Sequence, residues 1–357
     1  MKLLRCSRCV MPNTRPSTAF VDGVCSACLS YERRPSIDWE ARRRELVDLL
    51  DRHGGRCMVP SSGGKDSHWQ ALTLRELGAD VTVVTATTDH LSEIGKRNIQ
   101  NLSRYCDTIE VTPDRSVRNR IARIGLRLVG DISFGEHMAI WATPHQMAIK
   151  LGIPLIFYGE SPQNEIGGPL GTETETRMTR RWVSEHGGFL GLRAADLVDM
   201  DGITERDIQP YLQPTDEQMA GITTFFLGQF LPWDGLRNAE VARQHGFEWW
   251  HTDVEASIGG YESLDNHQTG IHEWFKFLKY GYMRPTDIAS LAVRRGRMTR
   301  DKALAVIAER EVFPATYLGM PYEEIIDKIG ISTAEFSAIC DRFTNKALHA
   351  VHAPLVA

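Results

Sequence analysis

Two different periods of hydrophobic positions meet in one stretch near the start of the chain. The segment RCMVP is short and apolar, which favours a buried strand, and VTVVTATTD is rich in the β-branched residues typical of a second strand. Between them, HWQALTLRELGAD places Trp69, Leu72, Leu74 and Leu77 at helical spacing. The pattern therefore predicts a strand-loop-helix-strand unit with SSGGKDS in its first crossover.

The rest of the chain divides into a mixed region and a helical region. The mixed region continues with two apolar runs, PLIFY and FFLGQFL, then a helical stretch, RNAEVARQHG, and FEWWHTDVE, which we predict to be extended and to close the sheet. From about Asp265 onward, successive segments carry apolar residues three and four positions apart, as amphipathic helices do. We predict an α/β fold with a parallel sheet over residues 36–264 and a helical subdomain over residues 265–357.

The length, net charge and hydropathy of the chain argue against several classes of protein. A chain of 357 residues can bury a sizeable core. Its formal net charge of -5 argues against a generally basic surface, so we do not expect a nucleic-acid partner. No apolar run approaches the roughly 20 residues that span a bilayer, and the start MKLLRCSRCV lacks the long apolar segment of a secretory signal. We expect a cytoplasmic protein without membrane contact.

Four of the seven cysteines are spaced as metal ligands. Cys6, Cys9, Cys25 and Cys28 form the pattern C-x2-C-x15-C-x2-C, which is typical of a tetrahedral four-thiolate zinc site. The intervening segment is rich in turn residues and cannot order itself by apolar burial, so the metal would supply folding free energy. We predict a zinc ribbon over residues 1–35 with a structural zinc ion. Two disulfides or free thiols are the alternative.

The loop SSGGKDS combines the residue types that bind phosphate and a metal ion. Its two glycines let the backbone approach a phosphate closely, and the helix that follows directs its positive end at the anion. The lysine adds a positive charge, the serines add hydroxyl donors, and the aspartate offers a carboxylate suited to Mg²⁺. A βα turn that merely contains two glycines is the alternative. The predicted binding residues are Ser62, Gly63, Gly64, Lys65, Asp66 and Ser67.

The six residues SGGKDS resemble the pyrophosphate loop of the PP-loop ATP pyrophosphatases. The resemblance implies the Rossmann-like sheet of that superfamily, which is the adenine nucleotide alpha hydrolase-like fold. It also implies cleavage of ATP to AMP and pyrophosphate while a substrate oxygen is adenylated. By itself the motif leaves several reactions open: asparagine, GMP or NAD synthesis, lysidine formation and tRNA thiolation.

Three further stretches resemble the N-acetyl sugar amidotransferases of bacterial surface-polysaccharide (lipopolysaccharide) and nonulosonic-acid biosynthesis. They are CSRCVMPNTRPSTAFVDGVCSAC, GIPLIFYGESPQNEIGG and WFKFLKYGYMRPTDIASLAVRRGRMTRDKALAVI, so the resemblance spans most of the chain. It implies an AMP-forming ligase that uses ATP and ammonia to convert the carbonyl of a sugar's N-acetyl group into an acetamidino group. ATP is needed because an amide oxygen is a poor leaving group until it carries AMP.

The resemblance also implies roles for individual residues. The glycine loop would hold the outer phosphates of ATP, and Lys65 would neutralise the charge that builds on the departing pyrophosphate. Asp66 and Glu160 are the candidate Mg²⁺ ligands and, with Lys65, the candidate catalytic residues. The alternatives are an Asp66 that offsets the helix dipole and a Glu160 that caps the next segment. Because parallel strands end at one sheet edge, further ATP contacts are expected at strand ends, at Thr85, Thr87 and Gly159.

A long polar segment follows the predicted strand PLIFY. We predict that GESPQNEIGGPLGTETETRMTRRW is a lid over the substrate, with a surface connection as the alternative. Within it, Glu165, Arg177 and Arg181 are candidates for binding a nucleotide-linked N-acetyl sugar.

Two sets of residues in the remaining sequence are harder to assign. The helical subdomain contains the most basic region, which suggests an anionic ligand, with solvated helix faces as the alternative. That region contains Lys276, Lys279, Arg284, Arg294, Arg295, Arg297 and Arg300. Scattered histidines are predicted to be core or surface residues rather than catalytic bases; these are His137, His145, His251, His267 and His272.

The last predictions concern where the nitrogen comes from and which other functions the chain could have. No cysteine has the setting of a glutaminase nucleophile, and the family resemblance implies a separate ammonia-supplying partner similar to the glutaminase and cyclase subunits of histidine biosynthesis.

A PP-loop sulfur transferase is the main alternative, for which Cys106 is the only available thiol. Cys57 and Cys340 are predicted to be small buried hydrophobes. A zinc-ribbon adaptor with a vestigial nucleotide site is the non-enzymatic alternative.

Overall fold

A computed structural model describes residues 3–160, 165, 167–168 and 177–349 of the chain. Most of the predicted lid, at positions 161–164, 166 and 169–176, lies outside the described residues. Among the described helices, none combines the length and the apolar character that crossing a lipid bilayer requires.

A short hairpin and a helix form the N-terminal module. Strands β1 (Phe20–Val21) and β2 (Val24–Cys25) pair antiparallel, and helix α1 (Ser26–Arg33) follows directly. The turn between the strands has positive φ at both of its residues, 50° at Asp22 and 77° at Gly23. An aspartate and a glycine tolerate this left-handed backbone, which explains the Asp-Gly pair at this position.

The centre of the protein is a parallel sheet of five strands, as predicted. They are β3 (Arg56–Pro60), β4 (Asp80–Ala86), β5 (Asp107–Val111), β6 (Leu155–Tyr158) and β7 (Thr223–Phe226). Their spatial order is β5-β4-β3-β6-β7, and every neighbouring pair is parallel. The chain first adds strands on one side of β3 and then on the other, so the strand order reverses between β3 and β6.

Both faces of the sheet are covered by helices. These are α2 (Trp39–Arg52), α3 (Lys65–Glu76), α4 (Glu93–Leu102), α5 (Arg115–Val129), α6 (Phe134–Leu151) and α7 (Arg180–His186), while α8 (Gly235–Gln244) packs on α3. Successive residues of a strand point to opposite faces. In β3, Cys57 and Val59 pack with Leu50 of α2 and Leu74 of α3, whereas Met58 lies in a separate cluster with residues of α6.

Side-chain caps fix where several of these helices begin. The Asp38 carboxylate accepts the backbone N–H of Ala41 at 2.9 Å at the start of α2, and Ser92 does the same for Gly95 at 2.9 Å at the start of α4. Such a cap stabilises a helix by about 1 kcal/mol, because it satisfies an N–H group that has no partner within the helix.

The C-terminal region is helical, as the apolar spacing predicts. It contains α9 (Thr269–Tyr280), α10 (Arg284–Arg294), α11 (Arg300–Arg310), α12 (Tyr322–Lys328), α13 (Thr333–Phe343) and α14 (Lys346–His349). A small antiparallel pair, β8 (Thr316–Tyr317) and β9 (Met320–Pro321), precedes α12. Phe275 of α9 shares a core cluster with Leu126 of α5, so this core crosses the predicted boundary at residue 265.

Two predicted extended segments differ from the structure. FFLGQFL supplies only the end of β7, because the chain turns into a 3₁₀ helix at Leu227–Gln229. FEWWHTDVE was predicted to close the sheet, and this is wrong, since the segment contains no strand. Its aromatic residues instead fill an irregular cluster, in which Phe247 and Val254 are buried and Trp249 packs against Tyr261.

Candidate functional site

The glycine loop and Glu160 meet at the carboxyl edge of the sheet. The loop follows β3, Glu160 follows β6, and these two strands are hydrogen-bonded neighbours. The strand order reverses between them. In an open parallel sheet, this point leaves a crevice in which ligands bind, because the loops that follow the two strands turn to opposite faces. The fold thus brings together predicted site residues that are far apart in the sequence.

Steric limits and hydroxyl groups shape the glycine loop. Gly63 has a φ of 77°, and a Cβ at this position would lie 2.6 Å from the side chain and 2.8 Å from the backbone nitrogen of Ile99. The Ser61 hydroxyl accepts the N–H of Gly63 at 2.9 Å and donates to Ser67 at 2.7 Å. Ser67 in turn donates to the carbonyl of Gly64 at 2.9 Å. Ser61, which the sequence did not single out, therefore fixes the loop from within.

The start of α3 differs from the capped helices. Its N-cap residue is Gly64, which has no side chain to accept the first N–H groups. Those groups carry the positive end of the helix dipole and remain available to an anion. The exposed residue Ser62 lies just before them. The loop and the helix start together have the form of a phosphate cradle.

Lys65 lies between two carboxylates. Its ammonium nitrogen is 2.6 Å from Asp66 Oδ2 and 3.0 Å from Glu262 Oε1, and the residue is only 7 % exposed. Burial alone would lower the pKa of Lys65, but the two carboxylates hold it above its usual range. Asn238 Nδ2 donates to Asp66 Oδ1 at 2.9 Å. Glu262 and Asn238 were missed because no motif marks them; only the fold brings them to the loop.

Glu160 connects the glycine loop to a neighbouring cleft. It is partly buried, and burial together with the negative charge of Asp66 raises the pKa of its carboxyl group to about 7. A carboxyl group with this pKa exchanges its proton near neutral pH, as a general acid or base must. The preceding residue, Gly159, is closely surrounded, because a Cβ there would lie 3.2 Å from the side chains of both Gln70 and Trp233.

The two predicted adenine contacts lie at the end of β4. Thr85 is buried within the strand, at 3 % exposure. Thr87 follows the strand, and its N–H donates to Val111 at 2.9 Å while its carbonyl accepts from Arg118 at 3.1 Å. The hydroxyl of Thr87 also accepts from Thr112 at 3.0 Å, so the main-chain groups and the side chain of Thr87 are all bonded within the protein.

A cleft of about 530 Å³ opens beside Glu160. Aromatic side chains from three parts of the chain line it, as do residues of the N-terminal module and of α9. They include Arg15, Pro16, Ser17, Trp141, Trp182, Phe189, Lys276, Tyr280 and Tyr282. A concave site of this size, with aromatic walls and a few polar groups, is typical of one that encloses a small ligand.

The three candidate sugar-binding residues are not brought together. Glu165 is buried and bonds to Arg34 at 2.7 Å and Arg295 at 2.6 Å, so its carboxylate joins elements of this chain. Arg177 is exposed and lies over the ring of Phe225. Arg181 is exposed on α7 and pairs with Glu185, which lines the cleft. Of the three, Arg181 is the one whose partner borders the cleft.

The basic region of the C-terminal helices is largely committed to bonds within the chain. Lys276 lies 2.9 Å from Glu273 and 2.7 Å from Asp287. The partners of the other six are Val129 for Lys279, Glu273 for Arg284, Glu165 and Cys9 for Arg294, Glu165 for Arg295, Asp234 for Arg297, and Cys6 and Cys9 for Arg300. These contacts favour a structural role over the anionic ligand that the composition suggested.

The four N-terminal cysteines converge on one point. All four are buried thiols, with Sγ–Sγ distances of 3.9 Å for Cys6 and Cys28 and 3.6 Å for Cys9 and Cys25. Disulfide sulfurs lie about 2.05 Å apart, whereas four sulfurs at about 2.3 Å from a tetrahedral zinc ion lie about 3.8 Å apart. The donor set therefore fits a zinc ion and does not fit two disulfides.

The N-terminal module, called the cysteine module from here on because it carries the four cysteines, also forms part of the cleft wall. The carbonyl of Cys9 accepts from Arg300 Nε at 3.1 Å, which attaches the module to α11. Thr14 Oγ1 donates to the carbonyl of Tyr280 at 2.5 Å, and Arg15 pairs with Asp287 at 3.0 Å. The segment between the two cysteine pairs is therefore held against the helices that line the cleft.

A family model matches the C-terminal part of the chain. The family model described as the C-terminal domain of WbpG-like LPS biosynthesis proteins matches residues 247–352. No curated protein matches the chain. The matched range is under a third of the chain, and it includes Glu262 beside Lys65 and Lys276 in the cleft. The C-terminal region is therefore similar to that of proteins of LPS biosynthesis, and it supplies part of the candidate site.

Proposed function

We propose that the protein is an ATP-dependent amidotransferase of lipopolysaccharide biosynthesis. It adenylates the carbonyl oxygen of an N-acetyl group on a nucleotide-linked sugar and replaces that oxygen with ammonia, giving an acetamidino sugar, AMP and pyrophosphate. The observation that carries the proposal is the position of Glu160. This residue lies at the strand-order reversal beside the glycine loop and also borders the 530 Å³ cleft.

The glycine loop is the proposed site for the phosphates of ATP. The uncapped start of α3 and the backbone of Gly64 offer N–H groups to the outer phosphates, while Gly63, whose N–H bonds to Ser61, lets the loop approach closely. Lys65 is the only ammonium that contacts Asp66 in the described part of the chain, and it would neutralise the charge on the departing pyrophosphate. Asp66 supplies carboxylate oxygens of the kind that bind Mg²⁺, and Glu160 is proposed as the proton acceptor rather than as a second ligand. Thr85, Thr87 and Gly159 stay proposed neighbours of the nucleotide.

The cleft is the proposed site for the sugar. The carbonyl oxygen of the N-acetyl group attacks the α phosphorus, and pyrophosphate leaves. Ammonia then adds to the activated carbon, and AMP leaves with the former carbonyl oxygen. Addition of ammonia releases protons, and Glu160, with a pKa of about 7, is placed to accept one near neutral pH. Aromatic residues such as Trp141 and Tyr282 offer flat surfaces to a sugar ring.

A separate partner is proposed to supply ammonia. Outside the cysteine module, burial raises the pKa of Cys57 to about 12, of Cys106 to about 11 and of Cys340 to about 12. A thiol with such a pKa is almost entirely protonated at neutral pH and is a poor nucleophile. The chain therefore offers no suitable glutaminase cysteine, which supports a partner that hydrolyses glutamine and passes ammonia on. Zinc in the cysteine module is likewise part of this proposal.

The sulfur-transferase alternative is disfavoured by the position of Cys106. This residue directly precedes β5, so it lies at the amino edge of a parallel sheet. The glycine loop lies at the carboxyl edge of the same sheet. A thiol that carries sulfur to an adenylated substrate has to reach the site of adenylation, and Cys106 cannot do so from the opposite edge.

The test is a reaction of the purified chain with ATP, Mg²⁺, ammonium and a panel of nucleotide-linked diacetamido sugars. We expect AMP and pyrophosphate to form together with a sugar product that has lost oxygen and gained NH by mass. Lys65→Ala should lower the rate of AMP formation by at least about 100-fold. Lys96→Ala is the matched control, because Lys96 is exposed and its salt bridge within the described part of the chain is to Glu93, one turn away. Formation of ADP alone, or a product that has gained sulfur, would refute the proposal.

A further inference from the structure

Three residues from distant parts of the sequence meet in the wall of the cleft. Asp131 follows α5, His137 lies in the first turn of α6, and His272 lies in the first turn of α9. His272 Nδ1 is 2.8 Å from Asp131 Oδ1, and His137 Nδ1 is 3.3 Å from Asp131 Oδ2. One ligand atom from each residue lies within 4.8 Å of the other two. Each is also a residue type that binds divalent metals.

The two imidazoles are the main groups that can compensate the negative charge of the buried Asp131 carboxylate. The residue is only 4 % exposed, and Oδ1 also accepts the N–H of Ser133 at 2.9 Å. Among the described residues, the salt bridges of this carboxylate are those to the two histidines. The nearby ammonium of Lys279 instead donates to the carbonyl of Val129 at 3.1 Å. A buried carboxylate is stable only when a cation or hydrogen bonds compensate its charge.

The imidazole of His137 is incompletely satisfied. Its Nδ1 atom is shielded from solvent and has no hydrogen-bond partner among the described residues, although it faces Asp131 at 3.3 Å. The two atoms are thus close together without the alignment of a hydrogen bond. An unpaired nitrogen that faces a carboxylate oxygen without bonding to it is expected where both atoms are directed at a bound ion that they share.

We propose that Asp131, His137 and His272 bind a divalent first-row transition metal ion, such as zinc, in the wall of the cleft. Two imidazoles and one carboxylate form a donor set typical of such ions. Two ligand atoms that both lie about 2.1 Å from one ion are about 3.0 to 3.4 Å apart, and the observed distances of 2.8 Å and 3.3 Å are close to that span. Small side-chain shifts would complete the geometry.

This site differs in kind from the cysteine module. Four thiolates close the coordination sphere of a tetrahedral ion, whereas three protein ligands leave at least one position open. The open position would face the cleft, because all three ligand residues line it. An oxygen of a ligand in the cleft is the natural occupant. The inference does not depend on ATP chemistry, since the metal-binding residues lie apart from the glycine loop.

The test measures metal content in the full chain. Protein purified with zinc should contain about two zinc ions per chain, and His137→Ala/His272→Ala should contain about one. Cobalt substitution separates the sites, because a thiolate site gives intense sulfur-to-cobalt absorption and an imidazole-carboxylate site gives only weak visible bands. The double variant should lose the weak bands alone. Retention of the thiolate absorption shows that the variant has folded.

The matched control is His267→Ala. This histidine precedes α9, and its Nδ1 contacts the carbonyl of Tyr317 at 3.0 Å, so it lies outside the cluster. It should keep both zinc ions. The proposal fails if the unaltered chain binds only the zinc ion of the cysteine module, or if the double variant keeps the second zinc ion and the weak cobalt bands.

Discussion

Replacement of Glu160 by glutamine should make the protein more stable and less active. The pKa of this carboxyl group is raised from 4.5 to about 7 by burial and by the charge of Asp66. The folded state therefore binds the proton more tightly than the unfolded state does. The stability that this proton contributes is fully present below about pH 4.5 and is lost as the pH rises through 7. At pH 8 the wild-type carboxylate is charged in a place that disfavours the charge.

The size of the effect follows from the pKa. Each tenfold change in an acid constant corresponds to about 1.4 kcal/mol, so the change from 4.5 to about 7 corresponds to roughly 3 kcal/mol. A glutamine of similar shape does not titrate. We expect Glu160→Gln to exceed the wild type in unfolding free energy by roughly 2 to 3 kcal/mol at pH 8, with this excess disappearing towards pH 4.5. AMP formation should fall sharply, as expected when a functional group that destabilises the fold is removed.

The assay is urea unfolding of both proteins at a series of pH values between 5 and 8, roughly the range over which the excess should grow. At each pH, the unfolding free energy of the wild type is subtracted from that of Glu160→Gln. The contributions of titrating groups that both proteins share cancel in this difference. Glu185→Gln is the control, since Glu185 also borders the cleft but is solvent-exposed. A difference for Glu160→Gln that does not change with pH, or a loss of stability at pH 8, would refute the reasoning.

Three further predictions test other parts of the site. Gly63→Ala should lower the unfolding free energy by on the order of 2 kcal/mol and impair ATP binding, because its Cβ would lie 2.6 Å from Ile99; nucleotide titration with unaltered affinity would contradict this. Cys106→Ser should leave AMP and acetamidino-sugar formation unchanged in the coupled assay, and a large loss would revive the sulfur-transfer alternative. Cys25→Ser should remove one zinc ion, lower the melting temperature and raise the KM for the sugar, since Arg15 is in the cleft wall; an unchanged zinc content by elemental analysis would argue against the site.

The sequence predicts those parts of the site that depend on residues close together in the chain or on the regular geometry of a parallel sheet. The cysteine pairs are close in the chain, and the structure confirms that all four thiols converge. The glycine loop lies between a strand and a helix that hydrophobic spacing identifies, and both elements are confirmed. The parallel arrangement of the central strands is also confirmed, which places Glu160 beside the loop. Short-range patterns and the rule that parallel strands end at one edge are sufficient for these features.

The remaining contacts depend on tertiary packing. Glu262 reaches Lys65 from an irregular segment, and no periodicity or motif marks it. The stretch FEWWHTDVE, which comes shortly before Glu262, was predicted to be extended because aromatic residues favour strands, but its aromatic side chains pack in an irregular cluster instead. His137 and His272 looked like isolated histidines for a similar reason, since they belong to different helices and share a neighbour only in the folded chain.

The position of Lys65 bears on the order in which ligands arrive. Its ammonium occupies the space between the Asp66 and Glu262 carboxylates, so a group of the protein itself balances part of their negative charge. A free divalent cation would have to compete with this tethered charge before it gained either carboxylate. An incoming polyphosphate attracts the ammonium away and uncovers the acidic groups at the same moment. We therefore expect magnesium to enter as a companion of the nucleotide rather than ahead of it.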